Sequence, residues 1–212
     1  VGDLGRRYKV TENGYKIHAC CRHSHVSVDQ TIRLSEEHAL TADKIKRIRV
    51  KLNANSVKTL DDPNPPSAYK AKFSIQFLVA SALIHRHMGL TAFTDARLKD
   101  ATIRSLMQRI EVAEDRQFTR DFPQQWTAEV AIETTDGRNL AGRADMPEGD
   151  PSNPVSQRRL EEKCKGLLAQ VMNDASAEQL VRRLAKLPEI ADVREMFPEI
   201  SASGASLRAA AA

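Results

Sequence analysis

The residues of this chain best suited to chemistry lie in one short strip, Y-K-I-H-A-C-C-R-H-S-H at positions 15 to 25. Half of the six histidines and two of the three cysteines fall there, beside Lys16 and Arg22. Three chemistries could use such a set. A zinc site needs thiolates or imidazoles that converge tetrahedrally, usually in pairs spaced by roughly two to four residues. Cys20 and Cys21 are adjacent and point to opposite faces of an extended segment. His18, Cys20 and His25 could converge, but no second C-x-x-C or H-x-x-x-H pair occurs elsewhere. A redox pair lacks its C-x-x-C spacing. The third chemistry is anion binding with proton transfer. Lys16 and Arg22 offer donors to carboxylates, and an imidazole can move a proton. A buried cysteine pair with surface histidines is the purely structural alternative, and the residues alone leave it open.

The remaining sequence narrows the classes. The 212 residues are 41% hydrophobic and 28% charged, an ordinary soluble composition. A net charge of +4 is too mild and unclustered to point to nucleic acid. The longest apolar run, Phe73 to Ile84, is interrupted by Ser74, Gln76 and Ser81 and does not read as a membrane span. Adjacent cysteines make no disulfide framework, so reduced thiols in a cytoplasmic protein are expected. The chain opens on Val rather than Met and is expected to be a piece of something longer. Neither G-x-G-x-x-G nor a Walker A loop occurs, and G-R-A-D at 142 to 145 and E-G-D at 148 to 150 read as turns rather than a magnesium loop.

The strip must be positioned by the elements around it. Arg7 to Val10 and Tyr15 to Ala19 read as extended, with a turn at Asn13-Gly14. The spacing of Val26, Val28, Ile32 and Leu34 predicts a helix from Ser24 to about His38. Ile48, Val50 and Leu52 alternate with Arg47, Arg49 and Lys51, predicting a strand whose cationic face could pair with Glu129 and Glu133 of a neighbour. D-D-P-N-P-P at 61 to 66 is a loop. Tyr69 to His87 predicts one buried helix, with Gly89 as its C-cap. Phe93 to Arg97 reads as a helical turn, and Asp100 as the cap of a helix to Gln108. Strands follow at Ile110 to Val112 and Trp126 to Thr134, the latter returning through Asp136-Gly137 to Leu140 to Ala144.

Beyond Met146 everything reads as helical: a helix capped by Ser156, a second with a Ser176/Gln179 capping box, and a short third from Ile190 to Phe197. The fold class is α+β, a small mixed sheet with packed helices, followed by C-terminal helices whose apolar stripes need a partner surface. The expected organisation is an α+β domain at 1–146, returning helices at 147–200 and a disordered tail at 201–212.

Taken together, four stretches resemble the MmgE/PrpD family, which includes 2-methylcitrate dehydratase. Lys16, Cys20, Cys21, Arg22 and His25 match a K-P-Y-P-C-C-R-x-T-H-like segment. A-K-F-S-I-Q-F-L-V-A-S-A-L at 71 to 83 and G-L-T-A-F-T-D at 89 to 95 look like a buried helix and its sequel. G-D-P-S-N-P-V-S at 149 to 156 looks like the element before the closing helices. The resemblance implies a C-terminal portion of a lyase or isomerase acting on a small di- or tricarboxylate by proton transfer next to a carboxylate. It implies no cofactor and no metal, a homodimer, and an N-terminal helical domain of the same protein into which the C-terminal helices return. A cytoplasmic protein of propionate metabolism, 2-methylcitrate dehydratase-like and inactive as this fragment alone, is expected, with neither nucleic acid nor membrane as partner. Lys16 and His25 are the implied catalytic residues; Arg22, Cys21, Cys20 and His23 the implied substrate-binding ones. Ile17, His18, Ala19 and His23 depart from the family pattern, and Phe77 stands where some members carry a tyrosine. The alternative is a non-catalytic α+β module that binds a small anion or a protein partner.

Overall fold

Alternating Ile48, Val50 and Leu52 form the inner face of β1 (Ile45–Leu52) in a computed structural model that describes residues 3–192. This strand pairs in parallel with β2 (Ile110–Glu114) and antiparallel with β3 (Ala128–Thr134). A turn at Asp136-Gly137 leads into β4 (Asn139–Ala144), and the mixed sheet has the order β2-β1-β3-β4. Gly137 sits at φ 87°, a conformation open to glycine at little cost.

The helices of this unit are α1 (His25–Glu37), α2 (Ala54–Leu60), α3 (Ala68–Ala71), α4 (Ile75–His85), α5 (Asp95–Lys99), α6 (Ala101–Met107) and α7 (Arg116–Asp121). α1 crosses β3 and β4, while α4 packs against α1, α6 and β2. Almost every side of α4 is apolar and enclosed, which is why Phe77, Leu78 and Leu83 have no solvent exposure. The Ser35 hydroxyl donates to the Leu83 carbonyl at 2.9 Å and ties α1 to α4. The other face of the sheet is a ladder of ion pairs. Lys46 and Arg47 meet Glu133 at 2.6 and 3.1 Å, Lys51 meets Glu129 at 2.9 Å, and Arg49 lies 3.6 Å from Glu111. The cationic face is thus neutralised from within the sheet.

A second compact unit begins at Ser156. It holds α8 (Gln157–Leu168), capped by the Ser156 side chain, and α9 (Asp174–Ala185). The two pack together, with Ala177, Leu180 and Val181 buried and Lys165 paired to Glu178 at 3.2 Å. Leu167, Val171, Leu184 and Leu187 stay more than 40% exposed.

The architecture is the α+β class that the sequence implied, with several local differences. Lys9–Glu12 is a 3-10 turn, because Arg7 and Lys9 both close on Glu12, and among the described residues no strand forms before β1. The helix expected from Tyr69 to His87 is two. Ser74 breaks it, its hydroxyl accepting from Phe77 N–H and donating to the Asp62 carbonyl. α4 ends on Arg86 at φ 54° rather than on Gly89, with the guanidinium held by Ser35. The expected Phe93 to Arg97 turn is a 3-10 turn at Leu90–Ala92 followed by α5. Asn173, not Ser176, caps α9, accepting from Ser176 N–H at 2.9 Å. The third C-terminal segment and the tail lie, from residue 193 on, outside the described residues.

Candidate functional site

The strip runs across the N-terminal end of α1. Because it has no strand to pair with, its backbone is fastened point by point. Tyr15 N–H donates to the Gly149 carbonyl at 2.7 Å, Ala19 N–H to Met88 at 2.8 Å, and Cys21 N–H to Lys72 at 3.1 Å. Side chains add two further ties to the loop after β4. Arg22 donates to Asp150 at 2.8 Å, and Asp29 accepts from Glu148 N–H at 3.2 Å.

Each candidate residue then takes a distinct place. Lys16 is exposed, and no acid among the described residues pairs with it. Arg22 is half-buried between Asp150, the backbone of Gly14 and the face of Trp126, 5.7 Å from that ring's centroid. Burial opposes the charge on Asp150, but the Ser152 amide and hydroxyl and the Arg22 guanidinium outweigh it and hold this carboxyl below its ordinary range. Cys21 is half-buried, its carbonyl taking the Ser24 hydroxyl proton at 2.7 Å. That hydroxyl has one proton to give, so the 3.3 Å contact between Cys20 and Ser24 has the thiol as donor. His23 stacks 4.7 Å from Trp126 and shares a 2.7 Å hydrogen bond with Ser56; burial lowers its pKa.

His25, the first residue of α1, is fully buried, and neither ring nitrogen has a hydrogen-bond partner. Its ring stands edge-on to His18, with centroids 5.1 Å apart. Burial first, then the neighbouring His18, pushes its pKa down to about 3, against the opposing charge of Asp29, so the imidazole is neutral at pH 7. The Cys20 carbonyl is near enough to favour the charged form slightly, yet forms no hydrogen bond of normal geometry. His18 itself is 4% exposed and shares a 2.7 Å hydrogen bond with Asp29. Among the described residues no three His, Cys, Asp or Glu side chains converge as metal ligands. His18 is turned to Asp29, and Cys20 to Ser24.

Asp29, Asp150, Trp126 and Lys72 all shape the strip and were not legible as site residues. Arg22 and Asp150 are 128 positions apart, and no local spacing announces such a pair. The G-D-P-S-N-P stretch was conspicuous, but its partner was not.

Two expected results follow from this geometry. Burial pushes the Cys20 thiol up to about 12, so Cys20 reacts with iodoacetamide at pH 8 only after denaturant is added, whereas Cys21 and Cys164 react in the native protein. Peptide mapping of the alkylated protein reads this directly. Gly149 sits at φ 87°, and a methyl group there runs into the Tyr15 carbonyl. Gly149→Ala therefore lowers stability by about 2–4 kcal/mol, from left-handed strain and overpacking together. Urea denaturation measures the loss, and Asp150→Asn, which leaves the backbone free, costs less.

Comparison with known proteins adds a lineage to the geometry. The MmgE/PrpD C-terminal domain matches residues 18–187. Human cis-aconitate decarboxylase is 23% identical over 159 residues, 75% of this chain and 32% of that protein. A cis-aconitate decarboxylase-like protein of Aspergillus oryzae is 24% identical over 209 residues, 93% of this chain and 42% of its own length. The mitochondrial 2-methylcitrate dehydratase of Yarrowia lipolytica is 26% identical over 104 residues, 47% of this chain and 20% of that protein. The chain spans about a third of the length of the first curated relatives it matches. No helix among the described residues is long and apolar enough to cross a membrane.

Proposed function

This chain belongs to the MmgE/PrpD family, as its C-terminal domain, and from that premise we propose that it supplies half of the active site of a lyase or isomerase of small di- or tricarboxylates. The other half comes from an N-terminal domain, against which the apolar positions of α8 and α9 pack, and the whole works as a homodimer. The shared step is proton transfer at carbon next to a carboxylate. Removal of the proton with expulsion of hydroxide gives dehydration, and return of the proton gives isomerisation. In decarboxylation the carbon that keeps the electron pair left by CO₂ takes up a proton. The relatives named as a decarboxylase and a dehydratase are both lyases, which supports this class of step.

One observation carries the reading: Lys16 is an open cation that pairs with no acid among the described residues, on a segment fixed to the surrounding loops at several points. Deprotonation next to a carboxylate moves negative charge onto that carboxylate, and a cation already in place stabilises it without reorganising. Lys16 takes this role. Arg22 and Cys21 flank it, and His23 borders the Trp126 side. His25 and Cys20 form the floor, with His25 a neutral imidazole whose proton affinity is tuned by burial and by Lys16 and His18.

The test is turnover of cis-aconitate and 2-methylcitrate by the protein carrying both domains, followed through the unsaturated product. The 212-residue chain alone is expected to be inactive. Activity of this chain by itself would reject the half-site; no turnover of any polycarboxylate by the two-domain protein would reject the lyase and leave a non-catalytic anion-binding module.

A further inference from the structure

Lys72 lies where α3 gives way to α4, and its backbone is part of the strip's support, since its carbonyl takes the Cys21 N–H at 3.1 Å. Its side chain is half-buried. The ammonium stands 5.5 Å from the Phe93 ring centroid and 5.9 Å from that of Tyr69. No carboxylate among the described residues pairs with it. Aromatic faces attract a cation but offer it no lone pair, so its three N–H donors remain for an acceptor. The neighbouring guanidinium, Arg22, is by contrast committed to Asp150.

Two lysines therefore belong to one strip fastened at several points, Lys16 in its own sequence and Lys72 through its backbone bond to Cys21, and among the described residues neither ammonium pairs with an acid. Solvated surface lysines do not need two rings to seat them. An ammonium seated over two aromatic rings has water displaced from the side that faces them, and gains from an anion more than a fully hydrated one does. We propose that Lys72 is a second carboxylate-binding residue, which makes the strip selective for acids carrying at least two carboxylates. A monocarboxylate can engage Lys16 and leave Lys72 unused; a di- or tricarboxylate engages both.

The proposal rests on the carboxylate reading of the strip, but its test does not use turnover. The 212-residue chain, with its lysine side chains carbon-labelled, is titrated with propane-1,2,3-tricarboxylate and separately with propionate. The Lys72 signal, assigned by its loss in Lys72→Met, is expected to move with the tricarboxylate. A charge-assisted contact is worth enough that Lys72→Met weakens tricarboxylate binding about tenfold or more. Propionate binding is expected to change less than about twofold, because Lys16 supplies its contact. Lys72→Arg is expected to recover most of the affinity, and a matching urea midpoint for all three proteins excludes misfolding. A motionless Lys72 signal at the highest tricarboxylate concentration the fold tolerates would overturn the proposal. So would equal losses for both acids, or tricarboxylate affinity unchanged in Lys72→Met. If tricarboxylate binds through Lys72 while the two-domain protein turns nothing over, the lyase reading fails and this one stands.

Discussion

Lys16→Met in the two-domain protein is expected to lower kcat by about 100- to 1,000-fold, the usual effect of removing one preorganised stabiliser of developing negative charge. KM is expected to rise far less, because the charge that Lys16 answers is larger in the transition state than in the bound acid. The substitution keeps much of the aliphatic stem and removes only the ammonium. Since Lys16 is exposed and pairs with no acid among the described residues, the fold loses no contact that the structure shows. Surface changes of this kind shift stability by within about 0.5 kcal/mol, so an unchanged urea midpoint is part of the expected result. Lys16→Arg keeps the charge but spreads it over a planar fork, and partial activity is expected. If kcat survives Lys16→Met, the strip is not where the carbanion is stabilised. A large rise in KM at constant kcat would make Lys16 a binding residue only.

How far the strip could be read from sequence is clearest in its individual residues. Period-two Ile48, Val50 and Leu52 could belong only to a half-buried strand, and α1 and α8 announced themselves by 3.6-residue spacing and, for α8, by Ser156. The short helices α2 and α7 were missed although Asn53 and Asp115 cap them. Six or seven residues carry too little periodicity to stand out, and the caps alone did not decide it. The site is harder for a different reason. That Lys16 and His25 sit near one another is local, so the sequence held it. Their difference in environment is not local. His25 is buried because α1 starts beneath the strip, and Lys16 is open because the strip is held by Gly149, Met88 and Lys72, all more than 45 positions away. His18 and His23 made the strip conspicuous, and each is spent on a tertiary partner, Asp29 and Ser56.

The neutral, unpartnered His25 also sets how the protein responds to acid. Its folded pKa of about 3 lies below the ordinary 6.5, so between those values the unfolded chain binds a proton that the folded chain refuses. The stability His25 contributes is therefore fully present above pH 6.5 and is lost as pH falls toward 3. At 1.36 kcal/mol per unit, that is about 2 kcal/mol by pH 5 and on the order of 4 kcal/mol at the lower limit. Against a total of roughly 5–15 kcal/mol for a domain, the loss is large. Of the groups facing His25, His18 and Lys16 oppose its protonation, while Asp29 and the Cys20 carbonyl favour it. His23 and His85, also lowered by burial, add in the same direction. Asp150 does not interfere, because its lowered pKa places its loss below the ordinary carboxyl value of 3.8. His25→Leu removes a ring that makes no hydrogen bond, so at pH 7 its cost is only the change of shape, about 1 kcal/mol. Between pH 7 and pH 5 the wild-type urea midpoint is expected to fall steeply and that of His25→Leu only shallowly, through His23 and His85. Equal slopes would mean that His25 is already satisfied or protonated in the fold, and a neutral imidazole could not then be part of the site.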